Sequence, residues 1–270
     1  MKLGIGSYTL TWSVGIPKYE KPESPLTMEQ LIHIAHDNGL ELVQIADNVP
    51  LHLLSDEELD DILRTAQKLN VTLEIGTRGT APQHLLKYAE IAQKLNCTLL
   101  RTIITEPETT VAEAHIREVL PQLEAFGIVL AIENHGLHTT HQLAGLFDRL
   151  NSPFAGCCLD TVNSFSALES PDQVIQALLP YVVNLHVKDF EIKRAEHQLG
   201  FIVQGAPAGK GRLDIPGLLA LLNKLGKQPN VILELWTPYA GTIGETVRLE
   251  QAWLEESLDY LKQFPFHTSR

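Results

Sequence analysis

Four segments of the chain pass from apolar residues directly into side chains that can do chemistry. VLAIENHG (129–136) reaches Glu133 and His135, CCLDTVNS (157–164) reaches Asp160 and Asn163, VVNLHVKDF (182–190) reaches His186 and Lys188, and VILELWTP (231–238) reaches Glu234. Taken singly, a glutamate at a strand end caps a helix or pairs with arginine, and a lone histidine is most often a hydrogen-bonded neighbour. Gathered in one place, three carboxylates and an imidazole raise one another's pKa and resist burial. A divalent cation removes that conflict. Oxygen donors with one nitrogen suit Mn²⁺, Mg²⁺, Co²⁺ or Fe²⁺ better than structural zinc, which prefers thiolates. Such a cation stabilises the enediolate or enolate formed when a carbon beside a carbonyl loses a proton or CO₂, and a carboxylate within hydrogen-bond reach serves as general base.

The elements that must position these groups repeat along the chain. Eight apolar runs, at 3–9, 40–46, 71–77, 97–104, 128–134, 155–161, 182–189 and 230–236, are each followed by an amphipathic stretch. This is the pattern of βα units around a parallel sheet. The runs do not alternate simply, as expected for strands covered on both faces. Capping boxes pair Thr27 with Gln30, Ser55 with Glu58, Thr110 with Glu113 and Thr139 with Gln142, which predicts helix starts there. Eight units without a break in composition favour closure into one (β/α)₈ barrel spanning 1–270 over an open doubly wound sheet. The four chemical segments then end strands five to eight on the C-terminal face. Two connections, 12–26 and 190–213, are long for βα loops and belong to that same face as lids or binding loops.

Bulk properties narrow the partners. The 270 residues are 44% hydrophobic and 20% charged, as in a soluble globular protein, with a formal net charge of −12. That field repels phosphodiester backbones and anionic lipid, so the expected partner is a small molecule, with neither nucleic acid nor membrane. The three cysteines, Cys97, Cys157 and Cys158, have no metal-site spacing and read as buried reduced thiols. With an N-terminus, MKLGIGSYTL, lacking the basic and apolar regions of an export signal, they set the expectation of a cytoplasmic protein.

The ordered set IEN, LDTVN, LHVKD and LEL resembles the sugar phosphate isomerase/epimerase superfamily, the xylose isomerase-like TIM barrels that include ketose 3-epimerases, hydroxypyruvate isomerase and inosose dehydratase. The resemblance extends over all eight units. It implies a bound Mn²⁺, Co²⁺ or Mg²⁺ with Glu133, Asp160, His186 and Glu234 as ligands. It also implies that Glu133 and Glu234 move the proton, one on each face of a keto sugar, sugar phosphate or sugar acid, and that the protein is a homodimer or homotetramer. The stretches GIGSYTLTWSVG, VQIADNVPL and LEIGTRG look closest to 3-oxo-isoapionate decarboxylase-like members. The arginine-bearing ExNRxxPG stretch of the ketose epimerases is missing; the loop here reads VKDFEIKRAEHQLGFIVQGAPAGKGRLD. The expected activity is therefore of the isomerase/epimerase type, with decarboxylation of a 3-oxo sugar acid, or dehydration, as the alternative on the same scaffold. An endonuclease IV-like DNA repair enzyme shares the barrel but needs more ligands and a basic groove, and a sugar-binding barrel without turnover would not need the whole ligand set.

Around this core, Lys188 and then Arg78 are the cations best placed for a substrate carboxylate, and His135 could touch substrate. Asn163 and Asp189 are candidates for orienting ligands. Arg101, inside a strand, should pair with Glu74 or Glu133. GAPAGKGR is not a phosphate loop, because Gly211 stands where Ser or Thr must follow the lysine.

Overall fold

The structure, a computed structural model, describes residues 1–266. Eight parallel strands close into a barrel: β1 (Leu3–Gly6), β2 (Leu42–Ile45), β3 (Thr72–Gly76), β4 (Leu99–Ile103), β5 (Val129–Glu133), β6 (Ala155–Asp160), β7 (Val182–Val187) and, after an antiparallel hairpin of β8 (Asp189–Arg194) and β9 (Phe201–Ala206), β10 (Asn230–Leu233). Each of the eight apolar runs becomes one barrel strand, in sequence order. β10 closes the ring against β1 and β7, with Ile5 opposite Leu233 and His186 opposite Ile232. The strands are almost wholly buried because helices cover their outer faces and side chains fill the interior.

The helices are α1 (Thr11–Val14), α2 (Met28–Asp37), α3 (Asp56–Leu69), α4 (Pro82–Lys94), α5 (Thr109–Phe126), α6 (Thr140–Leu150), α7 (Pro171–Leu178), α8 (Ile215–Lys224) and α9 (Ile243–Leu261). Thr27, Ser55 and Thr139 form the boxes expected of them. Thr110 does not. α5 begins two residues earlier than such a cap requires, at Thr109 behind Glu108, so Thr110 already has helical backbone and its hydroxyl cannot reach the open N–H groups as a cap would. Ser170 and Gln173 make a further box that starts α7.

Both long connections sit at the C-terminal mouth. The first folds into α1 and is tied down by Glu250 of α9, whose carboxylate accepts the backbone N–H of Trp12 (2.8 Å) and of Ser13 (2.9 Å) and the Ser13 hydroxyl. The second is the β8–β9 hairpin. Its return strand segment is gathered by Asp189, whose two oxygens accept the N–H groups of Gly209, Gly211, Leu213 and Phe190 at 2.8–3.0 Å. A side chain at residue 211 would collide with that carboxylate, which explains the glycine. Asp189 thus shapes a loop and does not orient a ligand, and the N–H groups of residues 208–212 are already engaged. Among the described residues no helix is long and apolar enough to cross a membrane, and the three cysteines are free and buried.

Candidate active site

The last residues of β5 and β6, the penultimate residue of β7 and the residue after β10 bring Glu133, Asp160, His186 and Glu234 together at the barrel's C-terminal end, all buried. His186 Nδ1 lies 3.3 Å from Glu133 Oε2, 3.2 Å from Glu234 Oε1 and 4.0 Å from Asp160 Oδ2. Each approach is set by a neighbour. Asp160 Oδ1 accepts the N–H groups of Val162 (2.9 Å) and Asn163 (2.8 Å), which leaves Oδ2 to face the centre. Asn134 extends the β5–β6 ladder by one side chain, accepting from Asp160 N and donating to Asp160 O. Thr161 does the same for β6 and β7, bonding the backbone of Lys188 in both directions. His186 Nε2 is hydrogen-bonded to Gln44 Oε1 at 2.7 Å, which turns Nδ1 toward the carboxylates.

These donors fit a divalent cation. Asp160 Oδ2, His186 Nδ1 and Glu234 Oε2 are buried without a hydrogen-bond partner, and the three side chains can present ligand atoms within 4.8 Å of one another. Buried polar atoms are almost always satisfied; among the described residues His186 Nδ1 has no partner and the two carboxylate oxygens have only the Lys188 ammonium, so the centre between them fits a cation. Cys158 also borders the cluster, but burial and the Glu133 charge push its thiol well up, and it donates to Asn184.

Lys188 lies 2.8 Å from Asp160 Oδ2 and 2.7 Å from Glu234 Oε2, at ion-pair distance although outside hydrogen-bond alignment, with its ammonium 5.9 Å above the Trp236 ring. Burial alone would discharge it; the three carboxylates outweigh burial and keep it firmly cationic. Glu133 is likewise buried, yet Arg101 and, after it, Lys188 hold its carboxyl below the usual range. Both its oxygens are engaged, one by Arg101 Nε and the other by Asn163 Nδ2 at 2.7 Å. Arg101 reaches past Glu133 to Asp47, so it pairs with Glu133 and not with Glu74. Asp160 goes the other way: burial and the two glutamates raise it, partly offset by Lys188.

A cavity of about 430 Å³ opens above the cluster, within the usual range for a small-molecule site. Tyr8, Trp12, His135, Asn163, Lys188, Gln204 and Trp236 form its walls with the two glutamates. His135 stands at the exposed rim, and the protein crowding its ring lowers its pKa, so it presents a neutral imidazole. Burial and Asp47 push the Tyr8 hydroxyl up to about 12, leaving it a neutral donor. Arg78 is absent from the walls: half-exposed, it pairs with Asp47 at 3.0 Å and touches the site only through that carboxylate. Sequence reasoning passed over Asp47, Trp12, Gln44 and Trp236. Asp47 had a usable signal, since VQIAD ends the second run as LD ends the sixth.

The comparisons agree with the barrel fold. The model of the xylose isomerase-like TIM barrel family matches residues 17–264, and the chain belongs to that family. A 3-oxo-isoapionate decarboxylase from Pectobacterium atrosepticum is 34% identical over 265 residues, covering 97% of this chain and 95% of that protein. Among solved structures, a D-psicose 3-epimerase from Clostridium cellulolyticum H10 superposes with a TM-score of 0.70 at 17% identity, covering 97% of this chain and 98% of that one. A xylose isomerase-like TIM barrel protein from Mycobacterium smegmatis in complex with magnesium gives 0.68 at 14% identity, covering 96% and 97%. This chain is an enzyme of the family.

Proposed function

We propose that the enzyme binds a divalent cation through Glu133, Asp160, His186 and Glu234 and decarboxylates a 3-oxo sugar acid. The observation that carries this reading is the state of Glu133, held ionised by Arg101 with both oxygens occupied. A carboxylate fixed in that way is a good ligand and a poor proton shuttle. Epimerisation needs two groups that exchange protons with carbon; loss of CO₂ from a β-keto acid needs only one. The bond to the carboxylate breaks, CO₂ leaves, the electron pair stays as an enolate, and one proton is delivered to carbon.

When bound, the cation would polarise the 3-oxo oxygen and stabilise the charge that develops on it. The remaining steps fall to side chains. Glu234, whose Oε2 has no hydrogen bond, carries the proton from solvent to the enolate carbon. Lys188 receives the substrate carboxylate, with Asn163 beside it, and Tyr8 and His135 are neutral partners for sugar hydroxyls. Charge favours such a substrate. Asp47, Glu133, Asp160 and Glu234 face Arg78, Arg101 and Lys188, one negative charge in excess, which a divalent cation converts to one positive. The likeness to the Pectobacterium atrosepticum decarboxylase supports the same reading.

A second reading is epimerisation or isomerisation of a keto sugar. It is favoured by Glu133 and Glu234 flanking the same His186 nitrogen at 3.3 and 3.2 Å and by the epimerase among the fold neighbours. Mn²⁺-, Mg²⁺- or Co²⁺-loaded enzyme incubated in D₂O with 3-oxo sugar acids, ketoses and ketose phosphates separates the two. CO₂ release dependent on protein and metal, with one deuterium at the new C–H, supports decarboxylation. Deuterium exchange at the α-carbon of a ketose without CO₂ would overturn it in favour of the second reading.

A further inference from the structure

Beneath the candidate metal centre lies a polar layer that the reaction scheme does not use. Glu74, Gln44, Asn184 and Asn230 come from four strands and are held inside the barrel, the first three buried. Among the described residues Glu74 has no cationic partner in ion-pair contact. Its Oε2 accepts from Gln44 Nε2 (3.0 Å) and Asn184 Nδ2 (2.9 Å), and its Oε1 accepts from Asn230 Nδ2 (2.7 Å).

We infer that Gln44 and Glu74 form a positioning relay that fixes which nitrogen of His186 carries the proton and so prepares the opposite nitrogen to take a cation. The inference rests on the metal reading for its purpose but not for its geometry. A carboxylate only accepts hydrogen bonds, so Glu74 obliges Gln44 to turn its NH₂ inward. The Gln44 oxygen then faces His186 Nε2 at 2.7 Å, and an oxygen there admits only N–H. The neutral imidazole consequently keeps its lone pair on Nδ1, the atom that faces Glu133, Asp160 and Glu234 without a hydrogen bond of its own. Glu74 therefore controls the donor capacity of a histidine it never touches, through one amide that cannot rotate without losing bonds at both ends. Histidine ligands elsewhere are oriented by a carboxylate or carbonyl at the distal nitrogen; here an amide, itself held by a carboxylate, takes that place.

Two readouts test the relay. In the metal-free protein, ¹⁵N NMR of the His186 ring should show the Nε2–H tautomer; in Gln44→Met, where the amide is absent, and in Glu74→Gln, where the Gln44 NH₂ keeps Asn184 Oδ1 at 3.2 Å but loses the carboxylate, Nδ1–H should become populated. Calorimetric titration with Mn²⁺ should show a Kd about 10- to 100-fold weaker in Gln44→Met, the range for lost partners of metal-bound histidine. The exchange Gln44→Glu with Glu74→Gln, which restores an oxygen toward His186 and an NH₂ behind it, should recover most of the affinity. Retained thermal unfolding of Glu74→Gln keeps the test sound where the methionine variant fails to fold. An Nδ1–H tautomer in the wild type, or Kd and tautomer unchanged in both single variants, would overturn the relay. Absence of Mn²⁺ binding by the wild type would instead overturn the metal reading, and the tautomer would still decide the relay.

Discussion

Glu133 and Glu74 line the same barrel and are both buried, yet their surroundings treat the charge in opposite ways. At the mouth, Glu133 is set against Arg101 and Lys188, and its pKa falls; deeper down, Glu74 makes no ion pair among the described residues and meets amide dipoles, and burial raises its pKa while three donors draw it part of the way back. The difference teaches what each layer is for. Fixed cations keep a carboxylate permanently charged, as a ligand must be, whereas dipoles satisfy a carboxylate without importing a second ion into the core. Glu250 under α1 belongs to the second kind: backbone N–H groups and a hydroxyl hold it, and burial pushes its pKa up to about 7.

The strongest way to test this contrast is at the mouth. Glu234→Gln should lower turnover by about 10³-fold or more, the scale of a lost general acid–base, with the far-UV spectrum unchanged. Substantial activity would remove Glu234 from proton transfer. Next, Arg101→Met leaves Glu133 without its guanidinium and Asp47 with Arg78 alone, and should cost about 3–5 kcal/mol in urea unfolding. Glu74→Gln replaces one polar group among dipoles and should cost only about 1–2 kcal/mol. Equal losses would erase the distinction between the layers.

Glu250 sharpens the comparison through pH. Its folded pKa lies above its ordinary value of 4.5, so the folded state keeps the proton longer than the unfolded chain. Its stabilisation is fully present below about pH 4.5 and is lost as pH rises through about 7, a change of up to about 3 kcal/mol from the size of the shift. Unfolding free energies of the wild type and Glu250→Gln, measured from pH 4.5 to 8, should diverge by that amount; parallel curves would refute it. A substrate-selective effect is expected at Lys188. Lys188→Met should raise KM for a 3-oxo sugar acid by roughly 10- to 100-fold, the value of one charged hydrogen bond, and change KM for a neutral ketose little. Similar changes for both would remove the lysine from carboxylate binding.

Much of the barrel was legible because parallel strands covered on both faces leave continuous apolar runs, and all eight were found to within a few residues. The four central side chains were legible for a related reason: in this fold, strand ends converge, so a linear series of chemical residues after apolar runs becomes a cluster. Arg78 misled because a guanidinium two residues past a strand says nothing of which carboxylate will claim it, and Asp47 did. Thr110 misled because a capping box is a local pattern, and the chain here enters α5 at Thr109 behind Glu108, with no side-chain cap.

The sequence by itself determined the unit count, the order of the strands and the residue types at their ends, since these follow from period and composition along the chain. Only the tertiary structure decided the pairings: Arg101 with Glu133 and Asp47, Gln44 between His186 and Glu74, Glu250 beneath Trp12. Those partners lie about 30 to 240 residues apart and meet through the closure of a ring, and hydrogen bonds are sensitive to fractions of an ångström that no spacing along a chain records.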